Sequence, residues 1–155
     1  MKKIITIFAF FLLLSCGFEP IYSKKKFEEN YNFTISSIGF SGDNSVNQNI
    51  KNNLISNIDN QEKLIKYDLI IDSLVNKTIT SKNQKGDPEI FYIEIIINLD
   101  VLENDNLKSK ITFKEGFEYK NKSNKYELKK YEKNIQKNLA SKVSKDIVEY
   151  LYSVK

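Results

Sequence analysis

Hydrophobic and polar residues alternate along this chain in two rhythms, and the change of rhythm marks its elements. Between 90 and 102, Phe91, Ile93, Ile95, Ile97, Leu99 and Val101 take every second position, with Glu94, Asn98 and Asp100 between them. Successive side chains on a strand point to opposite faces, so this run predicts a strand with one buried and one wet face. The stretch 107–120 repeats the pattern. Leu107, Ile111, Phe113, Phe117 and Tyr119 stand against Lys108, Lys110, Thr112, Lys114, Glu118 and Lys120. In 66–80, Tyr67, Leu69, Ile71 and Val75 share a face, although Ile70 and Leu74 on the other weaken the alternation. Between 33 and 40, Phe33 and Ile35 fall on one parity and Ile38 and Phe40 on the other, which predicts a bulge or burial on both faces.

Two segments follow a helical rhythm instead. Val46, Ile50, Leu54 and Ile58 recur every four residues, and Ser45-x-x-Gln48 reads as a capping box opening an amphipathic helix of about four turns. Leu128, Tyr131, Ile135, Leu139, Val143, Ile147 and Leu151 step by three or four behind Asn124-x-x-Glu127, a second cap. A helix over 125–152 extends ~42 Å, which is expected to exceed any strand here, so that its end projects past the sheet or packs on something outside the chain. Asn104-Asp105-Asn106 is short enough for a tight hairpin, while 82–89, with Gly86 and Pro88, makes a longer one. The order β-α-β-β-β-α with one-sided strands predicts an α+β fold, two helices packed on one face of a four-stranded, mostly antiparallel sheet. The other face is left wet or for a partner.

Composition narrows the chemistry. The chain has 155 residues, no His and one Cys, which excludes a zinc site, a Cys-His or Ser-His catalytic pair and an intrachain disulfide. No cofactor is implied. The formal charge is +4, but without Lys2 and Lys3 the balance is 22 basic against 20 acidic residues, which does not signal nucleic-acid binding. Glycines at 17, 39, 42, 86 and 116 form neither a phosphate-binding loop nor a dinucleotide fingerprint. Asp68 with Asp72, and Asp87 with Glu89, imitate carboxylate pairs, yet exposed strand and turn carboxylates are the ordinary case. The chain is not expected to be an enzyme.

The amino terminus carries the sharpest signal. Met1-Lys2-Lys3 is a positive n-region, and Ile4 to Leu14 is an apolar run broken only by Thr6. It is shorter than the ~20 residues of a spanning helix and fits a secretory h-region. Residues 1–15 read as a lipoprotein signal peptide, 16–30 as a lipidated Cys and tether, and 31–155 as a single domain. Leu13-Leu14-Ser15-Cys16 resembles the bacterial lipobox, in which the Cys sulfur takes a diacylglycerol and the new amine a further acyl chain such as palmitate. At ~0.8 kcal/mol per buried methylene, several chains anchor a protein to a bilayer essentially permanently. Gly17 after the Cys is similar to the pattern of outer-membrane sorting. Lys24-Lys25-Lys26 is read first as a solvated tether.

The lipobox, the element order and Cys16-Gly17-Phe18-Glu19-Pro20-Ile21-Tyr22 together resemble the lipopolysaccharide-assembly lipoprotein family LptE, also called RlpB, whose alphaproteobacterial members begin Cys-Gly-Phe-Arg-Pro-Leu-Tyr. Glu19 and Ile21 depart from that motif. Asn121-Lys122-Ser123-Asn124-Lys125-Tyr126 is similar to a family segment that enters the last helix. The resemblance implies a non-enzymatic lipoprotein anchored at the outer membrane and facing the periplasm or a barrel lumen. There it assists assembly of the β-barrel LptD and insertion of lipopolysaccharide into the outer leaflet. It also implies that Lys82, Lys85 and Lys129 contact lipopolysaccharide phosphates; in a chain this rich in Lys, lysines at a hairpin tip are more ordinarily solvated side chains. An alternative from the residues is a periplasm-facing lipoprotein that binds or hands over a lipid or small ligand, in a groove between helices and sheet.

Overall fold

The computed structural model describes residues 33–57 and 63–154; the signal peptide, Cys16, the tether and Ile58 lie outside them. Six elements follow in order: β1 (Phe33–Gly42), α1 (Asn44–Asn57), β2 (Ile65–Lys82), β3 (Pro88–Glu103), β4 (Asn106–Lys120) and α2 (Lys125–Ser153). The strands form one sheet in the order β1-β2-β3-β4, with β1 parallel to β2 and the other neighbours antiparallel. The fold is α+β with both helices on one face, as the alternation predicts.

Residues of one parity make the core. Tyr67, Leu69, Ile71, Ile93, Ile95, Ile97, Leu99 and Val101 on the central strands are buried against Val46, Ile50 and Leu54 of α1 and Ile135, Leu139, Val143, Ile147 and Leu151 of α2. The space between helices and sheet is therefore filled. β1 contributes Phe33 and Ile35 and then Ile38 and Phe40, because a register shift at Ser36 returns the strand to the same face. The change of parity in the sequence was the signature of that bulge.

Turns obey local chemistry. Asn104 and Asp105 have φ of 52° and 62°, the two-residue hairpin conformation that Asn and Asp tolerate best. In the β2–β3 turn the Asn83 side chain accepts from the backbone N–H groups of Lys85 and Asp87 at 2.9 and 3.0 Å. Gly42 ends β1 at φ 87°, and a Cβ there would overlap the Ser73 carbonyl oxygen. Only glycine fits that approach. The chain then enters α1 at Asp43, whose carboxylate accepts from the Val46 N–H at 2.9 Å. The cap is Asp43, so the Ser45-x-x-Gln48 reading sits two residues too late. Asn124 does cap α2, accepting from the Tyr126 and Glu127 N–H groups.

Two further expectations are corrected. At ~3.3 Å per residue, β2 runs about 59 Å, against about 44 Å for α2 at ~1.5 Å per residue. The sheet outreaches the helix, since a strand rises more than twice as fast per residue. Leu107 pairs with Leu102, because the register slips between Val101 and Leu102 and leaves Lys108 unmatched. That bulge moves Leu107 from the helix-covered face to the open one, where it is half-exposed.

Candidate functional site

β1 stops where Gly42 meets Ser73, so from Leu74 to Lys82 β2 keeps, among the described residues, β3 as its one ladder neighbour. This distal end of the sheet carries the β2–β3 turn. The segment after β4 is tied to its base: the Asn121 N–H donates to the Glu89 carbonyl at 2.8 Å, and its side-chain amide to the Pro88 carbonyl at 2.8 Å. The start of α2 is thereby brought to the same end as the turn. Lys82 and Lys85 at the turn and Lys129 on α2 are all exposed, and among the described residues none of the three forms a salt bridge. The topology gathers them at one end without contact between them.

Beneath that end lies a cluster the sequence reading missed. Glu132 of α2 accepts from Lys77 Nζ of β2 at 2.5 Å and from the Tyr119 hydroxyl of β4 at 2.7 Å, clamping the helix across the sheet. Lys77 Nζ also lies 4.1 Å from the centre of the Phe91 ring, and Phe91 stacks on Tyr119 at 5.7 Å. Tyr131 meets Tyr119 edge-on at 5.9 Å, and Lys122 Nζ sits 4.4 Å over the Tyr131 ring. Burial, then the hydrogen bond to Glu132 and its negative charge, hold the Tyr119 phenol well above its ordinary pKa. One signal was legible: Lys77 is the single charge on the parity of β2 that holds Tyr67, Leu69, Ile71 and Val75, where a charge needs a partner.

Over this cluster opens a cleft of about 720 Å³, lined among others by Ile90, Phe117, Lys120, Lys122 and Tyr131. Phe117 is half-exposed on its wall. Its charged lining is mixed, Lys120 and Lys122 with Glu118. The carboxylates of Asp68 and Asp72 accept from Ser37 and Ser41 on the open face, and among the described residues no three His, Cys, Asp or Glu side chains converge on a metal position. Among the described residues, no helix is long and apolar enough to cross a membrane.

The open face has its own order. One row crosses the whole sheet: Ser41 donates to Asp72 at 2.7 Å, Asn98 to Asp72 at 3.5 Å, and Thr112 to Asn98 at 2.8 Å. In the next row Lys110 pairs with Asp100 at 2.7 Å. Tyr92 lies across Gly116, where a Cβ would overlap its hydroxyl.

No family model and no curated protein sequence matches the chain. Solved structures match its fold. Rare lipoprotein B from Shewanella oneidensis superposes with a TM-score of 0.55 at 12% identity, over 76% of this chain and 94% of that one. A minor lipoprotein from Acinetobacter baumannii gives 0.55 at 10% identity, over 76% and 90%. A lipoprotein from Caulobacter crescentus gives 0.54 at 13% identity, over 77% and 88%. What is shared at these identities is the fold, and it is the fold of rare lipoprotein B.

Proposed function

We propose, from a fold held in common with rare lipoprotein B, that this chain is an outer-membrane lipoprotein of the LptE kind. In this reading Cys16 is acylated and tethers the body, which sits against or inside the β-barrel LptD and assists its assembly and the delivery of lipopolysaccharide to the outer leaflet. The reading is carried by one observation, the match of the whole α+β body to bacterial lipoproteins over most of both chains. Its support from the residues is the lipobox Leu13-Leu14-Ser15-Cys16 and a sheet face whose polar groups are satisfied across strands, as a water-filled lumen permits. Lys82, Lys85 and Lys129 would meet lipid phosphates as mobile point charges at the distal end.

The test is to pull the tagged full chain from detergent-solubilised outer membranes. A co-purifying β-barrel and a diacylglycerol mass on Cys16 are expected. Recovery of the chain alone, with unchanged surface lipopolysaccharide after its depletion, rejects the reading. Reversing the charge of Lys82, Lys85 and Lys129 should weaken lipopolysaccharide binding and flatten its salt dependence; unchanged values remove those residues from the site.

A second reading is favoured by the cleft beside Lys122 and Tyr131: a periplasm-facing lipoprotein that binds or hands over a lipid or small ligand. The helix stripes do not supply its groove, because they are spent in the core. Lipid retained by the purified chain and lost in a Phe117→Asp variant would favour it.

A further inference from the structure

At the end of the sheet away from the β2–β3 turn, the proximal end, the chain enters β1. Phe33 opens that strand opposite Ile65, the first residue of β2, and the last residues of α2 close over the pair. The Phe33 ring lies 5.5 Å from that of Tyr67 and, edge-on, 5.6 Å from that of Tyr152, while the Tyr67 hydroxyl donates to the Val154 carbonyl at 3.1 Å. Directly before Ile65 stands Leu64, 96% exposed, more than any other large hydrophobic side chain among the described residues. Tyr152 is partly exposed at the same end. Leu107, beside the β3–β4 hairpin, and Ile55, in the last turn of α1, are half-exposed a few residues behind. Leu64, Leu107 and Ile55 stand outside the core.

We infer that the proximal end rests on the phospholipid bilayer that holds the acyl chains of Cys16, with Leu64 entering the acyl boundary and Tyr152 at head-group level; the inference rests on the acylation of Cys16 in the reading proposed above and needs no barrel. Chain length selects this end. Residues 17–32 separate Cys16 from Phe33 and span at most about 60 Å. β2 carries the distal end about 56 Å from its own start beside Phe33, so the distal end reaches the same bilayer only with those residues drawn almost straight. The proximal end reaches it at any extension. A protein is the poorer occupant: four strands ~4.8 Å apart under a helical layer ~10 Å thick end in roughly 400 Å², half of the ~800 Å² that one side of a standard interface covers. A projecting aliphatic side chain near a tyrosine suits the membrane interface, where the ring is buried and the hydroxyl stays wet. Charge is balanced there: among the described residues Lys51, Lys63, Lys66 and Lys108 stand near this end with Asp68, Glu103, Asp105 and Glu149, and Lys108 bonds Glu103 at 3.1 Å. The contact should therefore form on a neutral bilayer.

The chain contains no Trp, so a single introduced indole reports alone. Leu64→Trp, Tyr152→Trp and, at the distal end, Tyr126→Trp are each made in the full lipidated chain and reconstituted into phosphatidylcholine vesicles, with acylation of Cys16 read by mass. Bromine on the lipid acyl chains should quench the first two by at least about half, with emission shifted to the blue, and leave Tyr126→Trp within about a tenth of its unquenched value. Either proximal probe unquenched on an acylated, vesicle-bound chain, or Tyr126→Trp quenched as strongly, overturns the inference and leaves the functional reading standing. A chain whose Cys16 carries no lipid and that does not float with vesicles loses both. Because an indole itself favours the interface, Leu64→Asp is then added to Tyr152→Trp. Quenching should fall at least threefold at an unchanged melting temperature, and undiminished quenching also overturns the inference.

Discussion

Ile96 and Ile97 are chemically identical neighbours on β3, and the sheet gives them opposite tasks. Ile97 is fully buried under the helices, whereas Ile96 is partly covered on the open face among Asn98, Lys114 and Leu74. The covered face holds the fold together by apolar burial and answers its charges in pairs, Glu132 with Lys77 and Tyr119 at the distal end and Glu115 of β4 with Lys142 of α2. The open face is organised by hydrogen bonds and ion pairs between strands, which are worth little in water. Stability therefore belongs mainly to one side of the sheet.

Substitution tests that division, beginning with the neighbours themselves. Ile97→Ala should cost about 2–5 kcal/mol by leaving a cavity, and Ile96→Ala less than half of that; equal losses in urea unfolding would erase the distinction between faces. Gly42→Ala should cost about 1–3 kcal/mol, because it forces a side chain into positive φ and against the Ser73 carbonyl. Gly39→Ala, on the same strand with its nearest contact at an ordinary 3.9 Å, should cost no more than a few tenths of that. Chemical denaturation of both variants measures the difference.

Tyr119→Phe should cost about 1 kcal/mol at neutral pH by removing the hydrogen bond to Glu132. Its pH dependence is the sharper observation. The folded phenol holds its proton more tightly than the ordinary value of 10.0, so its contribution is complete below that pH and declines as pH rises toward the folded pKa. Above pH 10 the wild type should lose stability more steeply than Tyr119→Phe, and parallel curves would refute the assignment. Smallest of all, Thr112→Ala should cut the four-strand polar row and change stability by less than about 0.5 kcal/mol. A larger loss would mean that the open face also carries the fold.

The strands and helices were legible because burial on one face imposes a period of two or of about 3.6 on the sequence. Even the bulge at Ser36 showed itself, as a change of parity between Ile35 and Ile38. Leu107 was misplaced for the converse reason: Lys108 adds a residue within an unbroken alternation, and one slip turns a side chain to the opposite face. The α1 cap was read at Ser45, since a capping box and a lone Asp43 both satisfy the helix start. Lys82, Lys85 and Lys129 came from a family resemblance; the structure places them at one end but does not test their role. The cluster of Lys77, Phe91, Tyr119, Tyr131 and Glu132 draws on four elements whose junction no local spacing records.

By itself the sequence determined the element order, the buried parity of β2 and β3 and the turn at Asn104-Asp105, because each depends on residues close together in the chain. Only the tertiary structure decided that β2 outruns β1, that Glu132 clamps two strands, and that Ile70, Leu74 and Ile96 share one open surface. Strand order and register are set by contacts between distant segments, and those contacts are chosen by the packing of the whole sheet rather than by any stretch of it.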